Sequence, residues 1–516
     1  MASNSRSPLR RLPLEIVANI LGHSDSIKEL GTSIFSHSIF YNAFKANSRS
    51  IAKSIITTQI PEKIIPYALL LLESDHHEPG DLVALRGMLA RLCPQVHGTD
   101  ENVDDITSSH HVSETASRPL SLSTLSMSDY ASLSRNYEAI LLLRQIMAEE
   151  SLPILRTFGL KEAKTPLRTA EKFRLDRAFY LFQTICNLFS FNARPDDLIL
   201  TPGQYLELVS GSHEYIGMVF YYFSPWVNHQ LQSVYSFLER HIVSSFRYIA
   251  KHDVAYVAWT DTHEVSDRDD LNIDELFTRG LSFHLKLHQT KTFEAISHLL
   301  KPSSNPVTRW GISDVFDCLT DPMQFLVREQ GMWTTQVQDL TEEELGLIQR
   351  PHDGEFDGVK SSSCRNWKCA FERHLVSSCR LDTEKSWLLR CAYVMWDYPD
   401  VPESFLSETF QLLFNTWINY QALPGDYPVN VEWDRNPIYL SWQQRRGIYA
   451  RGGEGWWPAT GVDFSRVTGL TEKDKEELIM EWRSRGWVES IKRKRSDSSS
   501  SRSSVESTIT VRERYA

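Results

Sequence analysis

A chain of 516 residues exceeds what one hydrophobic core organises, so about two to four domains are expected. With 41% apolar and 23% charged residues it can bury a sizeable core, while a formal charge of −11 leaves no basic surface of the kind a nucleic-acid-binding body needs. Neither a secretion signal nor a membrane span is expected: no apolar run with a cleavage site follows Arg6, Arg10 and Arg11, and the most apolar stretch, Tyr215 to Val227, is short and broken by Ser224 and Pro225.

The periodicities predict a mainly α-helical protein. An N-terminal helical module spans residues 9–47, a helical extension 48–93, a linker 94–128, a mainly helical and irregular body 129–488, and a basic, Ser-rich tail 489–516. In the module, Pro13 suits a first helical position, where its fixed φ fits and its missing N–H is not needed. Glu15 follows in the first turn, where the helix dipole favours an anion. Leu12, Ile16 and Ile20 recur at four-residue spacing with Val17 and Leu21 beside them, giving one broad apolar face. Ser26 with Glu29 reads as a capping box opening a second helix through Ile27, Leu30 and Ile34, which Gly31 weakens. Ile39, Phe40, Ala43 and Phe44 supply the face of a third. A unit of about 40 residues buries little surface alone. It therefore packs on the following helices or on another protein.

Further along, Pro61 fits the first turn of a helix and Pro66 is expected to end or kink it. Residues 94–128, rich in Ser, Thr, His and Asp, show neither the helical nor the strand period and read as a linker or disordered insertion. In the body, Tyr137–Met147, Phe173–Phe189, Leu231–Tyr248, Trp387–Trp396 and Phe405–Tyr420 carry apolar residues at three- and four-residue intervals and are expected to be helices. Thr341 with Glu344 reads as a capping box, and Thr383 before Glu384 as a helix start. Val254–Trp259 and Pro428–Trp433 are the best strand candidates, and softer seams fall at residues 301–306, 351–363 and 423–437. A last helix from Glu472 to Arg485, capped by Thr471 and stopped by Gly486, precedes a tail with too little apolar surface to fold alone.

Taken together, Leu12-Pro13-x-Glu15-Ile16, then Ile20-Leu21, Leu30 and the Ser36-His37-x-x-Phe40 segment resemble the F-box motif, most closely that of large fungal F-box-like proteins. The resemblance implies a helical module that binds the Skp-type adaptor of a cullin–RING ubiquitin ligase. By position, that role falls on Leu12, Pro13, Ile16, Ile20, Leu21, Leu30 and Phe40. Phe40 stands where the family usually has Trp, Ser24 where many members have an apolar residue, and the turn around Asp25–Lys28 is one residue longer than the common pattern. The implied function is a substrate-receptor subunit of an SCF-type ligase that performs no chemistry itself, with a target protein held by the body. Two other readings stay open: a scaffold or binding protein whose F-box-like fold does not engage the adaptor, and an enzyme without a recognisable motif.

The body offers little that reads as chemistry. Cys364, Cys369, His374 and Cys379 are evenly spaced, but five-residue steps on a helix rotate each ligand by roughly 140° from the last, so they do not converge on a metal. His284 and His288 fall one turn apart without the intervening acid of a zincin, and read as part of a partly exposed helix. The acidic runs Asp261–Glu264 and Asp267–Asp270 lack the Gly-centred spacing of a calcium loop. No nucleophile elbow, phosphate loop or dinucleotide fingerprint appears. No catalytic residue, metal or cofactor is therefore expected. The seven scattered cysteines suggest reduced thiols inside a cell. Trp456 and Trp457, in a Gly- and Pro-rich loop, are candidate target contacts. The run Lys492-Arg493-Lys494-Arg495 reads either as a nuclear import signal or as a solvated terminus, so a cytoplasmic or nuclear location, or both, is expected.

Overall fold

The computed structural model describes residues 12–77, 87–88, 121–160, 166–189, 191–193, 223–250, 275–300, 308–310, 335–350, 353–354, 356–374 and 387–415. The chain divides into two units, one of residues 1–242, 271–291 and 300–420, the other of 243–270, 292–299 and 421–516. The described fold is mainly α-helical.

Helix α1 (Leu14–Leu21) starts immediately after Pro13, whose carbonyl accepts from the N–H groups of Ile16 and Val17. Helix α2 (Ile27–Ser36) starts at Ser26, whose hydroxyl accepts from the Glu29 N–H at 3.2 Å. Helix α3 (Ser38–Gln59) starts at His37, whose Nδ1 accepts from the Ile39 N–H at 3.1 Å. The expected third helix of the module and the expected extension are thus one element, broken at Asn47, where φ is −133° and ψ 27°. Val17, Leu21, Leu30, Ile34, Ile39, Ala43, Ile51 and Ile55 from the three helices form one apolar core. Gly22 lets the end of α1 approach α3 closely, because a Cβ there would lie 3.1 Å from the Ser54 hydroxyl.

Pro66 does not end a helix. A 3-10 turn (Glu62–Ile64) follows Pro61, and Pro66 lies in the first turn of α4 (Ile65–Ser74), where a missing N–H leaves no helix bond unmade. The C-terminal end of the expected linker is also structured. A 3-10 turn at Leu122–Thr124 is held by Lys53 Nζ, which donates to Ser123 Oγ at 3.1 Å, and by the Tyr130 hydroxyl, which donates to the Leu122 carbonyl. Helix α5 (Met127–Thr157) then begins at a capping box of Ser126 and Asp129. This long helix packs against α2, α3, α4, α6 (Thr169–Phe189) and α8 (Leu281–Gln289).

The remaining elements are β1 (Phe191–Ala193), α7 (Pro225–Ala250), α9 (Phe293–Leu300) and β2 (Thr308–Trp310), then α10 (Glu342–Ile348), α11 (Ser362–Ala370), α12 (Trp387–Arg390) and α13 (Glu403–Asn415). Strands β1 and β2 pair antiparallel, Phe191 opposite Trp310. The Thr341–Glu344 capping box forms at the start of α10. In the second unit the described residues are the C-terminal part of α7 and most of α9, with Ile296 buried. The strand candidates Val254–Trp259 and Pro428–Trp433, the Thr383 helix start, the Glu472–Arg485 helix and the tail all lie outside the described residues.

Two expectations about the body are corrected. The expected seam at residues 351–363 carries Asp353 and Asp357, which are completely buried. Asp357 accepts from Arg174 Nε at 3.0 Å and from Arg177 Nη2 at 2.7 Å, and Arg174 Nη1 also reaches Asp397 at 2.7 Å. Asp353 accepts from the backbone N–H groups of Ser224 and Arg350, both at 2.9 Å. This segment is therefore clamped onto α6 and the start of α7. The second correction concerns Trp387–Trp396, where only α12 is helical. From Cys391 the chain turns, with Ala392 at φ 51°. The Asn366 amide donates to the carbonyls of Tyr393 and Trp396, and the Ser363 hydroxyl donates to that of Val394, so side chains replace the helix ladder. Tyr393, Val394, Met395 and Trp396 are all fully buried, which explains a dense apolar run without a helical face.

Candidate docking face and a histidine–carboxylate cluster

Successive helix positions turn through about 100°, so the broad apolar face of α1 divides into two stripes. Val17 and Leu21 form the stripe packed into the module core. Ile16 and Ile20, one turn apart, form the other and are 46% and 51% exposed; Leu14, about 160° round the helix from Ile16, and Leu12, which precedes the helix, are 40% and 36% exposed. Pro13 is exposed beside them. The groove offered by α3 takes half of the face and leaves the rest in solvent.

The residues singled out from the sequence separate accordingly. Leu12, Pro13, Ile16 and Ile20 are all exposed. Leu21 and Leu30 do not join them: at 2% and 1% exposure they are core residues of the module. Phe40 is half-buried against that core, edge-on to His37. The structure adds exposed apolar residues that the spacing argument passed over, Leu14 on α1, Phe35 at 89% on α2 and Tyr41 at 50% on α3. Their signal was available, since Phe35 follows the buried Ile34 and Tyr41 lies two positions after the buried Ile39, off the inward face. Trp456 and Trp457 lie outside the described residues.

The sulfur and imidazole groups of the body also separate. Cys364 and Cys369 are buried on α11, and burial pushes both thiols up to about 12, which keeps them neutral. Burial does the same to Cys391. His374 follows α11 in a turn, and Cys379 and both acidic runs lie outside the described residues.

His284 and His288, one turn apart on α8, point to different surroundings. The stretch is the expected partly exposed helix, and within it His284 is 3% exposed. Its ring sits among Phe182, Phe277 and Phe283, and burial lowers it to about 4, so it is neutral at pH 7. His288 turns toward α7. Its Nδ1 is 3.1 Å from His241 Nδ1, and the two rings meet edge-on at 4.7 Å. Glu150, from α5, places Oε1 2.9 Å from His241 Nε2. The ligand atoms of Glu150, His241 and His288 all lie within 4.8 Å of one another. Three helices distant in sequence build this cluster, so no local spacing announced it.

Among the described residues no single helix is long and apolar enough to cross a membrane; α3 with the segment through α4 passes that test only as a pair bent by 101°. No protein-family model, no curated protein and no solved structure matches this chain.

Proposed function

We propose that the chain is a substrate-receptor subunit of an SCF-type cullin–RING ubiquitin ligase, with α1 docking a Skp-type adaptor and the body holding a target protein. The observation that carries the reading is the apolar surface left exposed before and along α1. Leu12, Leu14, Ile16 and Ile20 remain exposed although the module has closed its own core. Large apolar side chains left exposed on a folded surface are a place for a partner to cover. The F-box resemblance of the same residues supplies the class of partner.

In this reading Leu12, Pro13, Ile16 and Ile20 touch the adaptor, and Leu21 and Leu30 hold α1 and α2 in place from within. The half-buried Phe40 belongs to the rim. Trp456 and Trp457 contact the target, and the complex works in the cytoplasm, the nucleus or both. The chain transfers no group itself; it brings a target near the ubiquitin-carrying partners, which converts a bimolecular encounter into an effectively intramolecular one.

Co-purification with the adaptor tests the reading. Replacing Leu12 and Pro13 together by Ala is expected to weaken adaptor binding by about 2 kcal/mol or more, the usual cost of truncating interface anchors. Equal adaptor recovery by wild type and variant removes the ligase reading. Recovery by neither leaves the chain as a scaffold whose α1 face serves another protein.

A further inference from the structure

We propose that Glu150, His241 and His288 form a binding site for one divalent transition-metal ion of the zinc class, clipping α5, α7 and α8 together. The donor set is two imidazoles and one carboxylate, a combination that suits zinc and is used with an open position for water or another small ligand. The geometry is close to what an ion needs. Zn–N bonds of about 2.0–2.1 Å put the donors of a tetrahedral site about 3.3 Å apart, and the Nδ1 atoms of His241 and His288 are 3.1 Å apart. Glu150 is the half-exposed member, with a 38% exposed side chain, so its carboxylate can swing without disturbing the core.

The contacts bring three potential ligand atoms together. Two Nδ1 atoms face each other, and each ring carries its lone pair or its proton in the ring plane; at most one proton fits between them. An ion takes the place of that proton, which moves to the Nε2 of its own ring, so that both Nδ1 lone pairs meet the ion. Glu150 Oε1 comes within 2.9 Å of His241 Nε2, yet that nitrogen makes no aligned hydrogen bond although it is buried.

Three protein ligands leave at least one coordination position open. The site therefore differs from a closed four-ligand structural zinc, and a water or a carboxylate of a bound partner completes it. Its effect on the fold is direct, because the three ligands come from three helices and only the folded chain presents them together.

Cobalt(II) added to the full-length, chelator-treated protein is the probe, since its visible absorption reports four- or five-coordinate binding. Wild type is expected to take up one equivalent at this site with those bands, and zinc is expected to displace it. His288→Gln and Glu150→Gln are each expected to weaken uptake by more than about 100-fold, above the roughly 10- to 100-fold typical of residues that only orient a ligand. Circular dichroism without metal checks that each variant folds, and the exposed Glu150 supplies a variant that leaves the core intact. Zinc is also expected to raise the thermal midpoint of wild type and of neither variant. Absence of the cobalt bands in wild type, or uptake equal in wild type and both variants, overturns the proposal and leaves the pair as a hydrogen-bonded contact.

Discussion

Around Val17, Leu21, Leu30 and Ile55 the N-terminal helices close on aliphatic side chains, whereas around Asp357 the body closes on two guanidinium groups and several carbonyls. The reason lies in the backbone. The module is helix against helix, and nearly all its peptide groups are satisfied within those helices. The body inserts turning chain at residues 353–354, 356–361 and 391–398 between α6, α7 and α11, and those segments arrive with carbonyls to satisfy. Arg174 donates to the carbonyls of Met395 and Phe356, both at 3.2 Å, and Arg177 donates to that of Asp353. A guanidinium offers five donors in a fixed fork, enough to serve a carboxylate and carbonyls at once. Apolar packing is non-directional and can leave half of a helix face over for a partner. A buried ionic network is directional, and each of its contacts fixes the position of the chain that makes it.

The largest expected effect breaks the ionic side of that contrast. Asp357→Ala strands Arg174 and Arg177 without their shared carboxylate. Removing one partner of a buried pair costs about 3–5 kcal/mol. Burial works to raise the Asp357 carboxyl, and Arg177 and Arg174 outweigh it to hold the carboxyl below its ordinary range, so at pH 7 both cations lose a full charge partner. The urea midpoint of tryptophan fluorescence measures this, since Trp226 donates to the Asp357 carbonyl at 2.7 Å. A loss under about 1 kcal/mol, the range of an exposed pair, would show that the network is not what closes the body.

A smaller effect sharpens the contrast through pH. The fold lowers His284 from 6.5 to about 4, because burial opposes its charged form. The unfolded chain therefore takes up the proton first as pH falls. The stability that the neutral ring contributes is fully present above pH 6.5 and is lost progressively toward pH 4. His284→Leu keeps an apolar side chain in the same phenylalanine cluster and removes the titration. Variant and wild type are expected to be close at pH 7, and the variant to gain about 2 kcal/mol on wild type at pH 5. Asp353 and Asp176, raised by burial to about 7 and about 6, titrate alike in both proteins, so the difference isolates His284. A gap that does not change between the two pH values would sink the assignment.

The parts legible in sequence share one property: their signal is local. The expected helices at Tyr137–Met147, Phe173–Phe189 and Leu231–Tyr248 lie within α5, α6 and α7 because one face of each repeats at the helical period. The Thr341–Glu344 box was readable for the same reason, and Ser126 with Asp129 carried an equal signal inside a stretch whose composition suggested a linker. What stayed hidden depends on distant partners. Asp353 and Asp357 sit among Gly and Pro and look like solvated loop until Arg174 and Arg177 arrive from α6. Tyr393 to Trp396 is apolar on every side, and a run without a polar face carries no period to read. On α1, the sequence shows that Leu12, Ile16, Val17, Ile20 and Leu21 share a face, but only α3 decides which half of it goes inward. The Glu150, His241 and His288 cluster needs three helices to be placed first.

The smallest expected change in stability carries the most weight for function. Ile16→Glu with Ile20→Glu places two carboxylates on the outward stripe of α1. Both positions are about half exposed, so no buried charge and no cavity results, and surface substitutions of this kind usually fall within about 0.5 kcal/mol. Both residues have good helix propensity as Glu, and the inward stripe of Val17 and Leu21 is untouched. The thermal midpoint is therefore expected to stay near that of wild type while adaptor recovery falls to background, because a charge desolvated against an apolar partner has no counter-ion there. That combination separates a docking face from a packing face. If the variant unfolds, the stripe is part of the fold, covered from within the chain. If the variant is stable and still recovers the adaptor, docking does not run through α1, and the exposed Phe35 and Tyr41 on α2 and α3 become the next surface to charge.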